Sequence, residues 1–216
     1  MTGVKKEENG KARKEAGADN EVLEETPSMS FYKRFVRAPF FDKNAFRTLE
    51  YDKWGFLHGF IAILIVGGVR GIGNAFAYYY LYIEEMKAAM SLPTLIVTGI
   101  TTFMFTLPLE WLLLTGILYF YGIVLMKGTK SLGDLVKGLA FVFIPLMLEI
   151  FFPLIVWSEL VYWVLFVVTQ LWMIAILTTA VNEILKLSRW RGVLVVVLTY
   201  ITFFLLVILF IKPNGP

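Results

Sequence analysis

The apolar positions of this chain gather into five long stretches, over residues 54–82, 94–126, 135–157, 160–182 and 193–211, separated by short polar breaks. Each offers at least about 17 to 20 largely apolar residues, and at about 1.5 Å of rise per residue that length crosses a hydrocarbon core of about 30 Å. The pattern predicts an all-α integral membrane protein with five transmembrane helices. The break at Ser158 and Glu159 is so short that the third and fourth spans should form a tight antiparallel hairpin. The break over residues 83–93 carries Glu84, Glu85 and Lys87 and ends at Pro93, which suits the first turn of the next helix. Short connections make sequential helices neighbours.

Two polar regions precede the first stretch. Residues 1–30 alternate in charge sign and contain almost no large apolar group, so they cannot offset the entropy of ordering and are expected to form a disordered tail. Residues 31–53 interleave Phe31, Phe35, Phe40, Phe41, Phe46 and Leu49 with Lys33, Arg34, Arg37, Lys43, Arg47 and Lys53, and Pro39 divides the run. That mixture suits an amphipathic segment lying on a membrane surface. The expected organisation is therefore a tail (1–30), an interfacial segment (31–53), a five-helix domain (54–211) and a short tail (212–216).

Charge orients the bundle. Of the 20 Lys and Arg residues, all but Arg70, Lys87 and Lys212 precede the first span or lie in or beside the second and fourth connections. By the positive-inside rule the amino terminus is cytoplasmic and the carboxyl terminus outside. Trp54 and Trp190 fall at the inner interface, and Tyr78, Tyr79, Tyr80, Tyr82 and Trp157 at the outer one. The net charge of +3 matters less than this segregation, which should attract the anionic lipids of the cytoplasmic leaflet. Nucleic acid is not an expected partner. The first apolar stretch begins after some fifty mostly polar residues and is too long for the core of a cleavable signal, so it reads as a retained span.

Candidate chemistry is sparse. With no cysteine there is no disulfide, thiolate metal site or cysteine nucleophile. The single histidine, His58, makes no metal site by itself. Gly71-Ile72-Gly73 lacks the strand and third glycine of a nucleotide loop, and no hydrolase, zincin or P-loop sequence is present. Neither an enzyme activity nor a cofactor is expected. Three ionisable residues inside spans stand out: Arg70, Glu110 and Glu149. Counted along their helices, each lies roughly 21 to 24 Å from the inner boundary, so they can meet. Left separate in lipid, each would cost about 2.5 to 3.5 kcal/mol at the bilayer centre. The bland reading is an ion pair that holds three helices together; the sharper one is a path for protons or ions. Pro108, Pro145 and Pro153 lie near the carboxylates and free backbone carbonyls there, as transporter cores do, although prolines are also ordinary kinks. Gly67, Gly68, Gly71 and Gly73 give the first span a small-residue surface for close helix packing.

Asp52-Lys53-Trp54-Gly55-Phe56-Leu57 at the mouth of the first span, and Gly138-Leu139-Ala140-Phe141-Val142-Phe143-Ile144-Pro145 in the third, resemble the two short signatures of the Yip family. Those signatures are an Asp-x-Tyr-Gly-Pro run and a Gly-Tyr followed six residues on by proline. Asp52, Gly55, Gly138 and Pro145 match; Trp54, Phe56 and Leu139 depart from them, in the manner of divergent prokaryotic-type members. The family's plan of a cytoplasmic amino-terminal tail, five spans and a short external end is also similar over residues 31–211. The resemblance implies a non-enzymatic scaffold or recruitment factor in membrane organisation, with a small GTPase of the Ypt/Rab type as an implied partner and other membrane proteins or self-association besides. Two other readings stand beside it. One is a small ion- or proton-coupled transporter or channel using Arg70, Glu110 and Glu149; the other is an accessory subunit of a larger complex, joined through the Gly67 to Gly73 surface.

Overall fold

The structure is a computed structural model that describes residues 29–81, 91–156 and 158–211. The tail expected over residues 1–30, apart from Met29 and Ser30, and the end over 212–216 lie outside the described residues, as do Tyr82 and Trp157 of the aromatic belt.

Helices account for nearly all of what is described. Helix α1 (Phe31–Arg37) runs into a 3-10 turn (Ala38–Phe40) at Pro39, and Phe41 turns the chain with a left-handed φ of 61°. Helix α2 (Lys43–Arg47) is capped by the Asp42 side chain, which accepts from the Asn44 amide, and a second 3-10 turn (Thr48–Tyr51) follows. Then come α3 (Gly55–Leu81), α4 (Leu92–Tyr119) ending in a π turn (Phe120–Leu125), α5 (Leu132–Leu139) continued by a 3-10 segment (Ala140–Val156), α6 (Glu159–Leu185) and α7 (Arg189–Ile211). Ser91 caps α4 and Pro93 sits in its first turn; Ser131 and Asp134 form a reciprocal capping box on α5. Five of these segments are long and apolar enough to cross a membrane.

The third span departs from the expected α-helix. Over Ala140–Val156 it winds as a 3-10 helix, well beyond the three or four residues at which such helices usually stop. Pro145 and Pro153 each remove a backbone donor and crowd the carbonyl one turn back, which penalises the α register through this stretch. Packing compensates: 67% of the most apolar window of this span is buried, against 11% of the second span, so the third span is the axis of the bundle.

Close backbone approach sets α3 between α4 and that axis. A Cβ on Gly71 would lie 2.6 Å from the Gly99 backbone of α4, and one on Gly73 would collide with the Glu149 backbone of the third span. Gly67 likewise faces the Phe103 carbonyl of α4, at 2.8 Å from where its Cβ would stand, whereas Gly68 has open space. The glycines thus serve two helix contacts on opposite sides of α3, and Gly68 belongs to neither. Gly67, Gly71 and Gly73 are occupied by contacts inside the chain, and Gly68 alone of the four faces open space.

The segment over residues 31–53 caps the basic end of the bundle. Its inner side, Ala38, Ala45, Phe46 and Leu49, joins the main core, and the Trp172 indole of α6 donates to the Pro39 carbonyl at 2.8 Å. Its outer side leaves Tyr32, Val36, Phe40 and Phe41 exposed. Ion pairs fasten it: Arg47 and Lys43 reach Glu183 of α6 at 2.6 and 3.4 Å, and Lys130 reaches Glu50 at 2.5 Å. Arg34, read from sequence as one of the surface cations, is instead fully buried.

Candidate functional site

Two ionic clusters occupy two levels of this framework. At the basic end, Asp52 is the hub. Its carboxylate accepts from the Arg34 guanidinium at 2.5 Å, faces His58 Nδ1 at 2.9 Å, and caps the Trp54 amide at 2.9 Å. Arg34 also donates to the Ala45 carbonyl at 3.1 Å and to the Thr48 hydroxyl at 3.4 Å, and stacks its guanidinium 5.7 Å from the Phe141 ring centre. A buried cation is tolerable only when its donors are used, and here they are. Burial pushes the Asp52 carboxyl up, but hydrogen bonds from Arg34 and His58, with the charges behind them, outweigh it and hold the group below its ordinary value.

The signature positions converge on this end of the bundle. A Cβ on Gly138 would collide with the Ile184 side chain and press on Leu49 of the cap at 3.3 Å, while Gly55 leaves room for the Lys137 stem at 3.0 Å. Residues far apart in the chain, Asp52 and Gly55 on one side and Lys137 and Gly138 on the other, thereby form one joint between cap, first span and third span. Pro145 lies deeper, buried in the 3-10 segment.

The second cluster lies within the bundle and joins three spans. Arg70 donates from Nε to Glu149 at 2.7 Å and approaches Glu110 with Nη1 at 3.5 Å. Its guanidinium also lies 4.7 Å from the centre of the Phe103 ring. Asn74 donates to the same Glu149 oxygen at 2.9 Å and to the Arg70 carbonyl at 3.0 Å. Sequence reasoning passed over Asn74; its signal was a second polar residue one helical turn beyond Arg70. The two carboxylates differ sharply in setting, since the Glu149 side chain is 2% exposed and that of Glu110 41%. Glu110 borders a cleft of about 210 Å³ that Arg70, Gln170 and Tyr200 also line. No group of three or more His, Cys, Asp or Glu suited to a metal ion occurs among the described residues.

A bundle of five membrane-length helices, with a cap pinned by an aspartate at the mouth of the first span, defines a multi-pass membrane protein. The model of the Yip1 domain matches residues 34–211, and the chain belongs to that family. No curated protein and no solved structure matches.

Proposed function

We propose that this Yip1-domain protein is a non-enzymatic membrane scaffold whose cap recruits partners at the cytoplasmic end of the bundle. The segregation of Lys and Arg supports the orientation, with the cap inside and the carboxyl end outside. One observation carries the reading: the signature aspartate is spent on holding the cap in place, leaving a shaped outer surface of aromatic and basic groups. Tyr32, Phe40 and Trp54 are 77%, 70% and 67% exposed, and Lys33, Arg37 and Lys53 are exposed among them. Such a surface suits anionic headgroups and a docked protein face together. A small GTPase is the partner class that the family's name suggests.

Copurification in mild detergent tests the assignment. Full-length chain, chain lacking residues 1–28, and a Tyr32→Ser, Phe40→Ser, Phe41→Ser variant would be compared for the proteins that accompany them. Partners retained by the truncation and lost by the triple variant are the expected result, because only the cap has apolar anchors. Partners lost by the truncation and kept by the triple variant would move recruitment to the tail and defeat the proposal.

A further inference from the structure

The cleft beside the second cluster carries polar groups with nothing to bind. Tyr200 of α7 lines it, and its hydroxyl is buried with no hydrogen-bond partner. The Gln170 amide of α6 also lines it and makes no hydrogen bond among the described residues. Glu110 of α4 makes only the loose 3.5 Å approach to Arg70. Unmet polar groups are costly inside a membrane, where neither lipid nor neighbouring backbone replaces water. Here Tyr200 and Gln170 bring two such groups to a single cavity, and Glu110 brings a loosely paired carboxylate from a third span. Apart from Arg70, which is turned to Glu149, its remaining walls are apolar: Leu114, Phe143, Leu146, Met173 and Phe203.

Charge narrows the occupant. One guanidinium faces two carboxylates, and its close contact goes to Glu149, whose Oε2 accepts from both Arg70 and Asn74. Glu110, the member that faces the cleft, is therefore the carboxylate left without a close partner. A bare alkali cation needs a close cage of oxygen ligands, which hydrocarbon walls do not supply. A cavity of about 210 Å³ with mostly apolar walls and a few convergent polar groups suits a small organic molecule. We infer that this cleft binds an amphiphilic amine, its ammonium donating to Glu110 and to the Gln170 and Tyr200 oxygens and its hydrocarbon body lying against the apolar walls. The site is separate from the cap and does not rest on the recruitment reading.

The test uses full-length protein in phosphatidylcholine nanodiscs, with thermal unfolding followed during titration with octylamine, octanol, octanoate and sodium chloride. Binding only to the folded state raises the unfolding temperature, and at about a hundredfold excess over half-saturation the rise should be about 5 to 10 °C. Octylamine is expected to give this saturable rise and the other three none. Glu110→Gln should abolish it, and Leu114→Trp, which fills the cleft and leaves every charge in place, should abolish it too. Tyr200→Phe should weaken binding about tenfold. An equal rise with octanol would make the cleft a plain hydrocarbon slot, and a rise with sodium chloride would make it an inorganic cation site; either overturns the inference. So would no rise with octylamine, or a rise that persists undiminished in both Glu110→Gln and Leu114→Trp.

Discussion

The two ionic clusters use nearly the same ingredients and arrive at opposite states. At the basic end, Arg34 is enclosed, and Asp52, Thr48 and the Ala45 carbonyl take up its donors. In the middle of the bundle, Arg70 is closed on the Glu149 side only, and its contact with Glu110 is both longer and more exposed. A saturated cluster fixes one arrangement of the chain around it. A cluster with an open edge retains charge that something else can satisfy, and in this fold that edge meets a cleft.

Breaking the mid-bundle cluster should have the largest effect. Arg70→Ala leaves two carboxylates facing each other, one of them almost fully buried, and removal of one member of such a pair costs about 3 to 5 kcal/mol. Adding Glu110→Gln and Glu149→Gln to that variant should recover part of the loss in thermal unfolding. Strictly additive changes would mean that the three residues do not act as a unit. Within the cluster, Glu149→Gln alone should cost more than Glu110→Gln alone, because Glu149 accepts from both Arg70 and Asn74.

A smaller effect sharpens the same comparison through packing. Gly73→Ala places a methyl group against the Glu149 backbone, and overpacking of this kind costs about 1 to 3 kcal/mol. Gly68→Ala, one and a half turns earlier on the same helix, meets open space and should change stability by less than about 0.5 kcal/mol. Equal effects of the two in an unfolding assay would contradict the placement of α3 against the third span.

The mildest perturbation is acid. The Asp52 carboxyl is held below its ordinary value in the folded chain, so its contribution is complete above that ordinary value, 3.8, and fades only as pH falls through the lower folded value. Attachment of the cap, read by limited proteolysis within residues 31–53, should therefore persist at about pH 4 and weaken below it. Release between about pH 6 and pH 5 would mean that Asp52 is not the anchor.

Much of this architecture was legible in the residues. Long apolar runs declare spans directly, and counting depth along helices brought Arg70, Glu110 and Glu149 to a common level. The 3-10 winding of Ala140–Val156 was not legible, because two prolines in an apolar run signal a disturbed helix without saying which compensation follows. Arg34 was hidden for a different reason. In a run of alternating aromatic and basic residues every cation looks solvent-directed, and only the fold of the cap onto Asp52 singles one out for burial. Gly68 and Gly73 show the same limit, since a helix with small residues on two sides does not reveal which side meets a neighbour.

Amide hydrogen exchange of the cap, residues 31–51, in the full-length protein tests the central contrast most directly, with Asp52→Asn compared against Glu110→Gln. The closed cluster holds the cap and the open one does not touch it. Asp52→Asn should therefore remove the cap's protection while the spans keep theirs, and Glu110→Gln should leave the cap unchanged. A cap that stays protected in Asp52→Asn, or loses protection equally in both variants, would contradict the account.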